Sequence, residues 1–164
     1  MGSLLKGLPR VGWGQLQGAQ APAGDIPALL SKMAWGDEEA GRLAAEDLGD
    51  RVCAMGFVVS EATAPTVPFL LELATAPTVR CKAEVLDLLT AIFTARQWSE
   101  AAAAAGPGSE SYKEQPGWEV ASRQAVLAGR GAVEELADAV QPDVAAAAGR
   151  LLRAFDEDRG LPER

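Results

Sequence analysis

Histidine does not occur anywhere in the chain. Its absence removes the Ser-His-Asp and Cys-His nucleophile systems, the histidine-bearing zinc sites and the commonest general base. Cysteine is almost as scarce. Cys53 and Cys81 lie in apolar surroundings with no second cysteine close in sequence, so two buried free thiols are expected, with no disulfide and no metal. Positive charge is in deficit: 15 Lys and Arg against 23 Asp and Glu leave a formal net charge of −8, which disfavours binding to a nucleic-acid polyanion. No apolar run approaches the roughly 18 to 20 residues that span a bilayer. The opening MGSLLKGLPRVGWG lacks the apolar centre of a secretory signal, so the expectation is a cytoplasmic chain with no membrane contact.

Alanine is abundant and β-branched residues are sparse, which points to helix. A two-helix pattern recurs. Its first copy runs through D-I-P-A-L-L (Asp25 to Leu30) and Gly36 to Leu48; its second runs through Thr66 to Leu73 and Ala76 to Leu86. Ile26-Pro27 aligns with Val67-Pro68, Leu29-Leu30 with Leu70-Leu71, Arg42 with Arg80 and Leu48 with Leu86. The offset of about 40 residues lies in the range of helical-pair repeats. A weaker third copy matches Val133 and Leu136 to Val67 and Leu70, and Pro142-Asp143-Val144 to Pro77-Thr78-Val79. Asp25 and Asp37 are suited to cap helices, and Glu38 and Glu39 favour the positive end of a helix dipole. Strand signals are weak; Gly56 to Ser60 is expected to be a connection or a frayed helix end.

One helix pair cannot bury its apolar stripe alone, so stacked pairs are implied. The fold class expected is all-α: a short right-handed α-solenoid of about three HEAT-like helix pairs. Residues 1–24 would form an N-terminal cap, 25–98 two pairs, 99–119 an inserted loop, 120–156 the third pair and 157–164 a solvated tail. The stretch from Trp13 to Trp98, above all D-I-P-A-L-L and E-A-T-A-P-T-V-P-F-L-L-E-L (Glu61 to Leu73), resembles short bacterial HEAT-repeat proteins of the actinobacterial type. W-E-V-A-S-R (Trp118 to Arg123) and A-A-A-A-G-R-L-L (Ala145 to Leu152) resemble the same armadillo-like group. The resemblance implies a solenoid used as an interaction surface, and is nearly silent on activity. The loop between the second and third copies, and Gly129 and Gly131 before Val133, depart from a regular array.

Catalytic patterns are not found. The paired acids Glu38-Glu39, Glu134-Glu135 and Asp156-Glu157-Asp158 are adjacent in sequence and do not face one another across a cleft, as a glycosidase requires. Gly12 to Gly18 has one residue too many in its last interval for a dinucleotide fingerprint, and no βαβ unit surrounds it. No cofactor and no metal is expected, and no enzymatic activity. What remains is a surface. On the second helices of the pairs the candidate partner-binding residues are Arg42, Glu46, Lys82 and Asp87, with Trp98, Tyr112 and Trp118 near the loop. The function expected is binding of another protein, a basic one by charge, in the manner of an immunity protein that neutralises a toxin. The alternative is a housekeeping adaptor. Self-association is open but not indicated.

Overall fold

The computed structural model describes residues 4–16, 18, 23–109 and 111–160. Parts of the expected cap (1–3, 17 and 19–22) and of the expected tail (161–164) lie outside the described residues. The described residues are all-α apart from one two-residue-per-strand hairpin. No helix among the described residues is long and apolar enough to cross a membrane.

Helices α1 (Ile26–Trp35) and α2 (Glu38–Val52) form a close antiparallel pair joined by two residues. Asp37 stops the chain between them and starts the second helix: its carboxylate accepts from the Ala40 N–H at 2.8 Å. After α2 comes the hairpin, β1 (Cys53–Ala54) and β2 (Val58–Val59), paired antiparallel with Cys53 opposite Val59. A connection was expected here; the backbone instead turns through the left-handed region at both Met55 and Gly56 and pairs with itself. Buried Ser60 and Thr63 fasten the return strand to the last turn of α2. Ser60 Oγ donates to the Arg51 carbonyl at 2.7 Å and Thr63 Oγ1 to the Val52 carbonyl, two groups a helix end would otherwise leave unpaired.

Helices α3 (Thr63–Thr75) and α4 (Lys82–Thr94) follow. Here the repeat alignment is offset from the real boundaries. Because α3 begins at Thr63, Pro68 lies inside the helix, whereas Pro27 lies in the first turn of α1. Residues Pro77 to Cys81, expected to be helical, form a turn before α4, with Val79 and Cys81 buried in it.

Two further corrections concern the C-terminal half. The segment 99–119 is not one loop. It holds the end of α5 (Gln97–Ala105) and the start of α6 (Gln115–Leu127), so irregular chain is confined to residues 106–114. The alanine run provides the propensity for α5, and Glu119 provides its anchor. Its carboxylate is buried and makes no ion pair among the described residues. It accepts from the Trp98 N–H at 2.7 Å, the Ser99 N–H at 3.0 Å and the Ser99 hydroxyl at 2.5 Å, so it caps α5 from a distance of some 20 residues. The second correction concerns 157–164. After the short α7 (Arg130–Leu136), α8 runs from Pro142 to Gly160, so residues 157–160 of the expected tail extend a helix that two ion pairs hold to the body. Asp156 pairs with Arg130 at 3.2 Å and Asp158 with Arg96 at 3.1 Å.

The helices form two layers. In one, α3 lies between α1 and α6; in the other, α4 lies between α2 and α8. Leu70, Leu73, Leu86, Leu89, Ile92 and Phe93 fill the space between them and are fully buried. Each such side chain contributes about 2 kcal/mol by leaving water. Phe93 meets Phe155 of α8 edge to face with ring centres 4.8 Å apart, and Ala147 and Ala148 let α8 approach α4 closely. The N-terminal residues form short 3-10 turns that lean on α3: Trp13 lies 6.0 Å from the Phe69 ring, and the Leu5 N–H donates to Glu72 at 3.0 Å.

Both cysteines are buried free thiols. Burial pushes the Cys53 thiol up to about 12 from 9.0; it pushes Cys81 up to about 11, with the nearby Glu84 charge adding to the rise. Both groups stay protonated in the fold and ionise more readily once unfolded. Their contribution to stability is complete below pH 9.0 and is lost as pH climbs through about 11 and then about 12. Urea unfolding at a series of alkaline pH values should show that decline, and a Cys53→Ala, Cys81→Ala chain should show a shallower one. Glu119→Gln replaces one acceptor oxygen with a donor that faces N–H groups; it should lower stability by about 2 kcal/mol, read from the urea midpoint.

Candidate functional site

The buried positions of α2 (Gly41, Ala44, Ala45, Leu48 and Val52) set one side of the helix against α1 and α4. At 100° per residue, the opposite side carries Glu39, Leu43, Glu46 and Asp50, with Asp47 at its margin. All five are exposed. Arg42 stands at the other margin and bridges two of the acids, reaching Glu46 at 2.7 Å and Glu39 at 3.3 Å. Asp47 and Asp50 make no ion pair among the described residues. Four acids and one arginine therefore leave this helix face with a net charge of −3, clustered around one apolar side chain, Leu43, which is half exposed.

The hairpin follows at the C-terminal end of α2 and is in contact with α4, α5 and α6. Its tip presents Met55, 69% exposed, and Phe57, 45% exposed. Met55 holds a left-handed φ of 57°, a conformation that costs a side chain other than Gly, Asn or Asp about 1 kcal/mol. The residue at the tip thus meets two costs at once, strained backbone and exposed apolar surface.

The sequence-predicted residues fall into three groups. Arg42 and Glu46 lie together on the α2 face, ion-paired to each other. Asp87 stands on the neighbouring α4 and pairs across the layer with Arg150 of α8 at 2.8 Å. Lys82, the first residue of α4, lies away from both, in a cleft of about 440 Å³ that it shares with Glu38, Arg80 and Asp143. Two acids and two bases meet there, and their charges cancel. The aromatics form a cluster of their own. Trp98 has its ring centre 5.8 Å from Tyr112 and 6.2 Å from Trp118, and its indole N–H donates to the Val59 carbonyl at 2.7 Å. Trp98 and Trp118 are packed against the core, so these rings pin the 106–114 loop and the hairpin to the body; only Tyr112 is exposed.

No protein-family model, curated protein or solved structure matches the chain. The chemistry of the surface is read from its own geometry.

Sequence reasoning missed Glu39, Leu43, Asp47, Asp50, Met55 and Phe57. A signal for Leu43 existed: within E-E-A-G-R-L-A-A-E-D-L it is the one large apolar residue out of phase with Ala44, Ala45 and Leu48. Met55 and Phe57 carried none, because their exposure follows from the hairpin. Met55→Asn suits the left-handed position and should raise stability by about 1 kcal/mol, or roughly 2–4 °C in Tm by circular dichroism.

Proposed function

We propose that the chain is a non-catalytic protein-binding module, a short right-handed α-solenoid of HEAT-like helix pairs, that neutralises one basic protein partner in the cytoplasm as an immunity protein does a toxin. The observation that carries this reading is the outward face of α2, where Glu39, Glu46, Asp47 and Asp50 surround exposed Leu43. Acids alone would be an ordinary solvated face. An unburied leucine set among them is the composition of a surface that loses water to a partner. The two-layer packing supports the solenoid part: α1 packs on α2, α3 on α4 and α7 on α8, and the second helices α2, α4 and α8 lie in that order.

Capture of the tagged chain from its own cells should retain a single stoichiometric basic protein that is harmful when produced alone and harmless when produced with this chain. Its association rate should fall about tenfold or more as salt is raised from roughly 50 to 500 mM, since opposite charges then attract less at a distance. A rate that ignores salt would sink the electrostatic part. Several harmless partners would replace neutralisation by the adaptor reading.

A further inference from the structure

We propose that the cleft at the starts of α2, α4 and α8 binds a free α-amino acid with an aromatic or large apolar side chain. Arg80 and Lys82 take its carboxylate, Glu38 and Asp143 its ammonium group, and the ring of Trp35 its side chain. The site uses none of the residues of the outward face of α2 and goes beyond the protein-binding reading.

Elsewhere in this fold arginines find carboxylates. Arg42, Arg51, Arg96, Arg130 and Arg150 each reach one within 3.2 Å. The cleft differs. Arg80 and Lys82 line it together with Glu38 and Asp143, yet none of the four makes an ion pair among the described residues. Asp143 accepts only from the N–H of its neighbour Val144, at 2.9 Å. The charges stand on three separate turns: Glu38 opens α2, Arg80 and Lys82 flank the start of α4, and Asp143 follows Pro142 at the start of α8. The fold thus holds both signs around a space of about 440 Å³ without bringing them together. Sites for small molecules run from about 300 to 1,000 Å³. A lone anion entering here would meet two carboxylates, and a lone cation would meet two bases. A molecule that carries both signs avoids either repulsion.

The side-chain preference comes from a second hollow of about 330 Å³, which shares Thr78 and Arg80 with the first and has Trp35 on its wall. Trp35 is 63% exposed, whereas Trp13 is buried and Trp98 and Trp118 pack against the core. An indole left in water is a large apolar face without a partner. Asp37 lines this hollow too, but its carboxylate is engaged by the Ala40 N–H. Arg80 stands at the junction of the two spaces. A carboxylate held there directs the ammonium group toward Glu38 and Asp143 and the side chain toward Trp35. The turn that carries Arg80 is anchored from beneath: Val79 and Cys81 are buried, and Cys81 Sγ lies 3.8 Å from the Met33 carbonyl oxygen of α1. Thr78 and Arg80 alternate with them and are left exposed.

The test titrates the full chain with L-phenylalanine, read by calorimetry and by tryptophan emission. Saturation with a Kd of about 1 mM or tighter is expected, with a blue shift as Trp35 leaves water. N-acetyl-L-phenylalanine lacks the ammonium group, L-phenylalaninamide lacks the carboxylate, and glycine lacks the side chain; each should bind at least about tenfold more weakly. Arg80→Gln should weaken L-phenylalanine at least about fivefold and leave the amide unchanged. Glu38→Gln should weaken L-phenylalanine by a similar factor and leave the N-acetyl form unchanged. This pairing of variant with ligand group is one that a merely structural role does not produce. Trp35→Ala should abolish the emission shift and weaken the calorimetric binding. All three positions are exposed, so circular dichroism and Tm should hold. The proposal is overturned if no saturable heat appears up to about 10 mM, if glycine binds as well as L-phenylalanine, or if the Arg80 and Glu38 variants bind like the parent. Equal binding of the amide would make this a site for the amino end of a peptide, and equal binding of the N-acetyl form a site for a carboxyl end; either outcome removes the free amino acid. Failure of this proposal leaves the α2 face and its partner untouched.

Discussion

Everything in this fold depends on the middle pair of helices being covered on both sides. In helices α3 and α4, Leu70, Leu73, Leu86, Leu89 and Ile92 are withdrawn from water because α1 and α2 lie on one flank and α6 and α8 on the other. In the second layer neither α2 nor α8 is as apolar as α4. The outer helices use alanine where the inner ones use leucine, Ala44 and Ala45 in α2 and Ala147 and Ala148 in α8, so they come close without presenting a second greasy face. The stack ends where the sequence becomes polar enough to face solvent.

That arrangement explains why α2 is the helix whose outer side is of interest. A flanking helix has one buried stripe and one free one, and the free one carries no packing constraint. On α8 the free side is spent on internal pairing: Arg150 goes to Asp87, and Asp158 goes to Arg96. On α2 Arg42 pairs within the helix, with Glu39 and Glu46, Arg51 reaches back to Asp25, and Asp47 and Asp50 make no ion pair among the described residues. Exposed pairs of this kind contribute little to stability. The negative field they leave around Leu43 is then the main physical property of that side.

The all-helical class was legible from alanine content and from apolar spacing, and Asp37 announced the start of α2 as a cap should. Boundaries were less legible where a repeat was used to infer them. Pro27 and Pro68 align in sequence, but one starts a helix and the other sits inside one, because the Ser60 and Thr63 hydroxyls begin α3 early by taking the carbonyls at the end of α2. The segment 99–119 reads as loop because of its glycines, prolines and serines; the first turn of α5 is held by Glu119, a contact across some 20 residues that no local pattern encodes. For the surface, Arg42 and Glu46 were candidates through their place on the second helix of a pair, and the two lie together on α2. Met55 and Phe57 were not, since their display depends on a hairpin too short to leave a periodic trace. Trp98, Tyr112 and Trp118, expected at a partner-binding surface near the loop, are drawn together, with Trp98 and Trp118 packed against the core.

Glu119 has an effect beyond the helix it caps. By joining the start of α6 to the start of α5, and with Trp98 stacked near Trp118, it closes the excursion between them at its base. The segment Gly106 to Ser109 then hangs from a loop whose ends are already held together, and doubling its length would cost only about 0.6 kcal/mol of closure entropy. The chain can thus accept new sequence there, over evolutionary time or by grafting, while the helices on either side keep their places.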